Sequence, residues 1–229
     1  MKAAETYQQQ ALQPGDYIDS DHAEIREFAE SQAVGATHQE RAVALYYAVR
    51  DQVHYDPYSI RMEPETMRAS NILAQGRGHC VAKAVLYAAV CRAAGIPARL
   101  GFADVRNHLT TPRLRELMQT DIFHYHGYSE VWLNGRWVKA TPAFNLSLCE
   151  RFGVLPLDFD GVNDSIFHAC DREGRQHMEY LVDHGPRLDL PWDELVETYR
   201  EFYPVIALAG QGIGGDFAAE AAREINKAP

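Results

Sequence analysis

The chain has 229 residues, which is enough to bury a hydrophobic core without disulfide bonds, and we expect a single domain over 1–229. Its net charge of −10 and its pI of about 5.4 argue against binding to nucleic acid or to an anionic membrane surface. Four irregularly spaced cysteines, no signal-peptide pattern and no apolar run of transmembrane length lead us to expect a cytoplasmic protein without a disulfide framework.

Helices are predicted over residues 20–54. Ser20 and Asp21 are suited to cap a first helix, and Thr37 is suited to cap a second. Apolar side chains of the second helix recur at a spacing that places them on one face. We interpret both helices as packing elements that lie against the functional part of the chain.

A cysteine follows a glycine-rich loop, and a long helical pattern begins at this cysteine. Residues 75–80 read Gln-Gly-Arg-Gly-His-Cys, and Gly76 and Gly78 give the backbone the freedom to turn sharply. The pattern behind Cys80 is apolar and ends at Gly95. Because free N–H groups and the helix dipole favour a thiolate at a helix N-terminus, Cys80 is a candidate nucleophile with a lowered pKa.

A β-hairpin is predicted around Asn134-Gly135, the strongest short-range hairpin signal. A two-residue turn there pairs position 133 with 136, 132 with 137, 131 with 138 and 130 with 139. The same register places His126 opposite Ala143, with Thr141 and Asn145 as diagonal neighbours on the same face. His126 is therefore a candidate base with a polar neighbour.

The order of these motifs carries a family resemblance. Residues 76–80 (Gly-Arg-Gly-His-Cys), 91–99 (Cys-Arg-Ala-Ala-Gly-Ile-Pro-Ala-Arg), 126–132 (His-Gly-Tyr-Ser-Glu-Val-Trp) and 135–138 (Gly-Arg-Trp-Val) resemble the nucleophile loop, the helix end and the histidine strand of the transglutaminase-like superfamily of papain-type thiol enzymes. The resemblance implies an α+β papain-like core, with the cysteine helix packed on an antiparallel sheet. The resemblance covers about residues 55–145. We expect the N-terminal helices 20–54 and a C-terminal extension 146–229 to pack on this core.

The chain departs from the family at the third catalytic position. The family places an aspartate before a proline after the Gly-Arg-Trp-Val segment, and this chain has Thr141 there. Threonine can accept a hydrogen bond from an imidazole, but it cannot stabilise an imidazolium with a full charge. The resemblance makes Thr141 the structural equivalent; Asn145, or one of the later carboxylates Asp158, Asp160 and Asp164, is the alternative orienting group.

The resemblance implies acyl chemistry at Cys80. The thiolate attacks an amide carbonyl, His126 protonates the leaving amine, and the thioester is resolved by water or by an amine. The Cys80 N–H and Gln75 are the predicted oxyanion donors. We expect a cysteine hydrolase, a peptidase or amidase that acts on a peptide, a protein or a small amide. The alternatives are a transglutaminase on the same site and a non-catalytic binding domain that is explained by Thr141.

No cofactor or metal is predicted. Histidines at positions 79, 124 and 126 lack the ligand spacing of a zinc site. The segment 210–215 reads Gly-Gln-Gly-Ile-Gly-Gly, but too few residues follow it for a dinucleotide-binding βαβ unit, so we interpret it as a turn before a terminal helix over 216–225.

In the C-terminal extension, a strand-like pattern is expected to extend the sheet or to wall the substrate groove. An amphipathic helix over 191–203 is expected to turn Leu195, Tyr199 and Phe202 inward.

Overall fold

The structure is a computed structural model that describes residues 2–108, 110–166, 178–208 and 213–225. Its helices are α1 (Lys2–Gln10), α2 (Ala23–Gln32), α3 (His38–Gln52), α4 (Ala69–Gln75), α5 (Cys80–Ala93), α6 (Pro112–Met118), α7 (Leu146–Phe152), α8 (Trp192–Phe202), α9 (Pro204–Leu208) and α10 (Phe217–Ile225). Its strands are β1 (His54–Tyr55), β2 (Arg77–Gly78), β3 (Ala98–Asn107), β4 (Ile122–Leu133), β5 (Arg136–Ala140) and β6 (Met178–Arg187). Short 3₁₀ turns span Pro57–Ser59 and Pro64–Met67.

The four long strands form one antiparallel sheet in the order β5-β4-β3-β6. Helix α5 packs on β3 and β4, and helices α2, α3 and α4 pack on α5. The predicted α+β architecture, with the cysteine helix lying on an antiparallel sheet, is confirmed. The tail extends the sheet as expected, because β6 pairs with β3.

Helix α5 is the centre of the core, and every residue from Cys80 to Arg92 is buried. A helix that is buried on all sides needs small or apolar side chains, and four of its residues are alanines that lie between Cys80 and Val90. Its buried Lys83 donates from Nζ to the carbonyl oxygens of Arg50 (2.8 Å) and Val53 (2.5 Å) at the end of α3. This contact fixes the first turn of α5 against the neighbouring helix.

The β4–β5 hairpin follows the predicted register. Asn134 and Gly135 both have positive φ, as a tight Asn-Gly hairpin turn requires, and the pairs 133–136, 132–137, 131–138 and 130–139 all form. The ladder ends at Ser129 and Ala140, so the predicted pairing of His126 with Ala143 was wrong. The return strand leaves β4 because Thr141 donates its N–H to Ser165 instead and Pro142 has no N–H to offer.

The helices α3 and α10 begin where the sequence predicts, or within one residue of it. Thr37 forms a capping box at the start of α3, and α10 begins one residue after its predicted start. Helix α2 begins with His22 at the N-cap, so the predicted caps Ser20 and Asp21 were wrong. Within the described part of the chain, none of the helices combines the length and apolar character that crossing a bilayer requires.

Candidate active site

The loop before Cys80 is held in place by a short parallel pairing of β1 with β2. Gly76 ends α4 in the left-handed conformation (φ 63°), which glycine adopts without strain. The N–H groups of His54 and Asp56 donate to the carbonyl oxygens of Gly76 (2.9 Å) and Gly78 (3.1 Å). The loop therefore enters α5 along a fixed path, and Cys80 is the first residue of the helix, as predicted.

His126 lies on β4, directly above the first turn of α5. Its neighbour Gly127 makes this approach possible, because a Cβ at position 127 would lie only 2.8 Å from Cα of Val81. On the other side of His126, β4 pairs with β3 through Ala103. The sequence therefore placed the cysteine and the histidine correctly on neighbouring elements.

Cys80 and His126 line one cavity, which we call the front cavity. Its volume is about 30 Å³, enough for about two water molecules. Apart from Cys80 and three histidines, its walls are apolar or aromatic, and α8 and α9 contribute Tyr199, Tyr203 and Ile206. The remaining lining residues are Tyr55, Pro57, Ile60, His79, Leu114, Met118, Phe123 and His124. The C-terminal extension thus walls the site, whereas Phe202, which was predicted to point inward, is 38% exposed.

The thiol of Cys80 is protonated in this environment. The backbone N–H of Gly127 on β4 stabilises a thiolate, and the N–H groups of Val81 and Cys80 add the effect expected at a helix N-terminus. Burial outweighs them and raises the pKa of Cys80 to about 11. The prediction of a lowered thiol pKa was therefore wrong, because the mainly apolar walls of the cavity solvate a thiolate poorly.

His126 is neutral for the same reason. It is almost completely buried, and burial lowers the pKa of its imidazole to about 4. Each of the two charged forms is costly alone in an apolar cavity, whereas proton transfer from Cys80 to His126 creates a pair with no net charge. The resting site consists of a neutral thiol and a neutral imidazole.

His79 is a second buried imidazole in the front cavity, and we did not assign it a role from the sequence. Its Nε2 is buried and has no hydrogen-bond partner among the described residues. Leaving such an atom unpaired costs about 1–3 kcal/mol. The signal that could have revealed it is its place immediately before the helix, where Ser, Thr, Asp or Asn is favoured.

Thr141 lies behind His126, across a smaller cavity of about 10 Å³ that we call the rear cavity. Its hydroxyl donates to the carbonyl oxygen of Ile166 (2.9 Å), and within the part of the chain that the structure describes no hydrogen bond joins it to His126. The rear cavity is otherwise lined by apolar side chains, from Ala143, Phe144, Leu157, Ile166 and Met178. The structure thus brings Thr141 beside His126, and among the described residues no carboxylate lines the rear cavity.

The alternative orienting groups lie elsewhere. The Asn145 amide accepts from Tyr55 N–H (2.7 Å) and donates to the Arg50 (2.6 Å) and Val53 (2.9 Å) carbonyl oxygens, so it braces the end of α3. The three later carboxylates are engaged at the surface: Asp158 with Arg50, Asp160 with the N–H groups of Val162 and Asn163, and Asp164 with the N–H of Lys139. None of these four residues lines either cavity.

Gln75 does not reach the site, and its prediction as an oxyanion donor was wrong. Its exposed side chain lines two open clefts of about 490 and 540 Å³ on the other side of the β1–β2 loop, together with Asp56 and Arg77. Gly76 and β2 separate it from the front cavity. Although Gln75 is only five residues before Cys80 in the chain, its side chain lies on a different surface of the protein.

A carboxylate does accompany a histidine at the outer end of the front cavity. Asp104 contacts Nδ1 of His124 (3.0 Å) and Nε2 of His184 (2.8 Å), and it accepts the N–H of Tyr125 (3.0 Å). Although burial opposes it, these contacts hold the pKa of Asp104 below its usual value. A β-bulge creates this cluster: two β4 residues stand opposite Asp104, and Tyr125 has a positive φ of 59°.

The described residues contain no cluster of three or more His, Cys, Asp or Glu side chains arranged to hold a metal ion. Cys80 and Cys91 are free thiols, and Cys170 lies outside the described residues. Residues 210–212 of the glycine-rich segment also lie outside them.

A cysteine at the start of a buried helix, facing a histidine strand of an antiparallel sheet, defines the papain-type fold class. The family model of the Transglutaminase-like superfamily matches residues 26–142, just over half of the chain, and the chain belongs to this family. The match begins earlier than the predicted core of 55–145, so it includes most of α2 and all of α3.

Two solved structures are similar to this chain. One is a "Putative Cysteine Protease" from Cytophaga hutchinsonii, with 17% identity, a TM-score of 0.45 and coverage of 77% of this chain and 53% of that one. The other is a "Putative Protease" from Parabacteroides distasonis, with 18% identity, a TM-score of 0.38 and coverage of 62% and 26%. This chain therefore spans about half and about a quarter of their lengths. A search of curated proteins gives no match.

Proposed function

We propose that the protein is a cysteine-dependent hydrolase of amide or related acyl bonds. The observation that carries the proposal is the front cavity, where Cys80 at the start of α5 and His126 on β4 share one mainly apolar space. Cys80 is the nucleophile, and His126 accepts its proton during the attack and returns it to the leaving group. Thr141, beside His126 in the rear cavity, is the proposed equivalent of the family's third residue.

Water is the acceptor in this proposal, because the front cavity has room for about two water molecules beside Cys80. The same size and the apolar walls favour a small, uncharged acyl group at the scissile bond, in a peptide, a protein or a small amide. No nucleic acid, membrane or cofactor is part of this proposal.

The first test measures acylation and turnover. We would use p-nitrophenyl acetate, whose acyl group is small, and glycyl and alanyl amides of 7-amino-4-methylcoumarin, with and without cadaverine. We expect release of the leaving group by the wild-type protein, loss of release in Cys80→Ala, and no acceleration by cadaverine. Incorporation of cadaverine into the acyl product would identify a transferase. Release at the same rate in Cys80→Ala would contradict catalysis by Cys80, and the absence of release in the wild type would favour a binding role.

A further inference from the structure

The start of α5 departs from the usual chemistry of helix N-termini. His79 occupies the N-cap with an extended backbone, and its side chain makes no capping hydrogen bond. Ser, Thr, Asp or Asn at this position would satisfy one of the free N–H groups of the first turn. A local rule that is broken without a structural gain is typical of a functional position.

The side chain of His79 is turned into the site instead. The ring lines the front cavity with Cys80 and His126, and its centroid lies 6.3 Å from that of Tyr199. Its Nε2 is buried without a hydrogen-bond partner in the described part of the chain, and the residue is only 4% exposed. An unpaired polar atom of this kind, in the wall of a cavity that holds the reactive thiol, is placed to meet a polar group of the substrate.

His79 is suited to donate a hydrogen bond without losing a proton. Burial first, and then the neighbouring His126, lower the pKa of its imidazole to about 3, so it is neutral at pH 7. A neutral imidazole carries one N–H, which can polarise a carbonyl group.

We propose that His79 is a catalytic residue whose Nε2–H donates a hydrogen bond to the acyl carbonyl oxygen while Cys80 attacks. The inference rests on the proposed hydrolase function. It supplies the second oxyanion donor, next to the Cys80 N–H, that Gln75 is too distant to provide.

Sγ of Cys80 bonds to the carbonyl carbon, its proton passes to His126, and the π electron pair of the carbonyl moves onto the oxygen. The oxyanion accepts hydrogen bonds from His79 Nε2–H and the Cys80 N–H, and no proton is transferred from either donor. When the intermediate collapses, the C=O bond re-forms and the leaving group departs with the proton from His126.

The test compares two reactions of the same thiol. Acylation by p-nitrophenyl acetate passes through an oxyanion, whereas alkylation by iodoacetamide at pH 9 attacks a CH₂ group and forms none. We would measure both rates, resolved to the Cys80 peptide by mass spectrometry, in wild type, His79→Phe and His79→Gln, together with the melting temperature of each. Cys80→Ala is the control for the function itself.

We expect His79→Phe to lower the acylation rate by about 10²- to 10³-fold, to change alkylation by less than about threefold, and to melt at or above the wild-type temperature. His79→Gln, which keeps an N–H donor, should recover at least part of the lost acylation. An unchanged acylation rate in His79→Phe would overturn the inference, as would an equal loss of acylation and alkylation or a marked drop in melting temperature. If wild type and Cys80→Ala acylate equally slowly, the proposed hydrolase function falls, and the inference falls with it.

Discussion

The two ends of the front cavity use histidine in opposite ways. At the inner end, defined by His79, Cys80 and His126, two imidazoles are buried beside a thiol, and no carboxylate of the described residues lines the cavity. At the outer end, defined by Asp104, His124 and His184, one carboxylate contacts two imidazoles. His124 and His126 are only two residues apart on β4, and both line the cavity.

The difference shows how exposure decides which charges a site can hold. The outer end is partly open to water, and the Asp104 carboxylate has three hydrogen-bond partners, so its charge is stabilised. The inner end is lined mainly by apolar walls, and burial there favours the neutral form of each titratable group. Thr141 fits this pattern, because an isolated carboxylate in the rear cavity would also be buried among apolar side chains.

Substitution of His126 on β4 gives the largest expected effect. His126→Ala removes the proton acceptor of Cys80 and should lower kcat/KM for p-nitrophenyl acetate by about 10³-fold. His124→Ala is the matched control two residues away, and we expect a loss of less than about tenfold. A greater loss in His124→Ala than in His126→Ala would show that the outer end, with its carboxylate, contains the base.

The reactivity of Cys80 tests the raised pKa. The thiol should be alkylated by iodoacetamide at pH 7 about 10²-fold more slowly than a free cysteine, and the rate should rise with pH towards an apparent pKa near 11. The completely buried Cys91 and Cys149 are internal controls that should stay unmodified in the folded chain. A rate plateau reached below pH 8 would contradict the account, because it would mean a thiolate stabilised in the resting protein.

These results separate what local sequence can predict from what it cannot. The hairpin register and the start of α5 follow from short segments, Asn134-Gly135 and the loop that ends at Cys80, whose conformations depend on adjacent residues. The protonation of Cys80 depends on α8 and α9, which lie more than a hundred residues away in the chain and cover the cavity. The spacing of residues in the sequence does not show that these two helices cover the cavity.

The predictions for two polar residues, Gln75 and Asn145, were wrong for a related reason. Gln75 is separated from Cys80 by a left-handed glycine and by β2, which place its side chain in a different cleft. Asn145 would share a face with His126 only if the hairpin ladder continued past Ala140, and the pairing with Ser165 ends it. Both predictions extended regular structure through positions where the chain changes direction.

The stability of the protein should depend on pH through the inner histidines. His79 and His126 have pKa values of about 3 and about 4 when folded, below the ordinary value of 6.5, so the unfolded chain binds more protons between pH 6.5 and 4. The stability that comes from keeping them neutral is complete above pH 6.5 and is lost as the pH falls. At pH 5 each histidine should cost about 2 kcal/mol of unfolding free energy relative to pH 7.

Urea unfolding at the two pH values measures this cost. His79→Phe removes one of the two titrating groups, so its loss of stability between pH 7 and pH 5 should be smaller than that of the wild type. Equal losses in the two proteins would mean that His79 does not titrate with a depressed pKa.

Restoring a carboxylate behind His126 should give the smallest effect. In Thr141→Asp, a carboxylate in the rear cavity would raise the pKa of His126 and should speed alkylation of Cys80 at pH 7 by about tenfold, with a lower melting temperature because the charge is buried. Thr141→Asn has similar size and no charge, and it should not speed alkylation. Faster alkylation in both variants would point to a loosened cavity instead of an electrostatic effect.

The most direct test of the central claim is to locate the acyl group during turnover. The protein would be mixed with p-nitrophenyl acetate, quenched in acid within the first turnover, digested and analysed by mass spectrometry, in parallel with His126→Ala. The account predicts an acetyl group on the Cys80 peptide, sensitive to hydroxylamine as a thioester is, that forms about 10³-fold more slowly in His126→Ala. An acetyl group on another residue, or equal rates of formation in the two proteins, would contradict it.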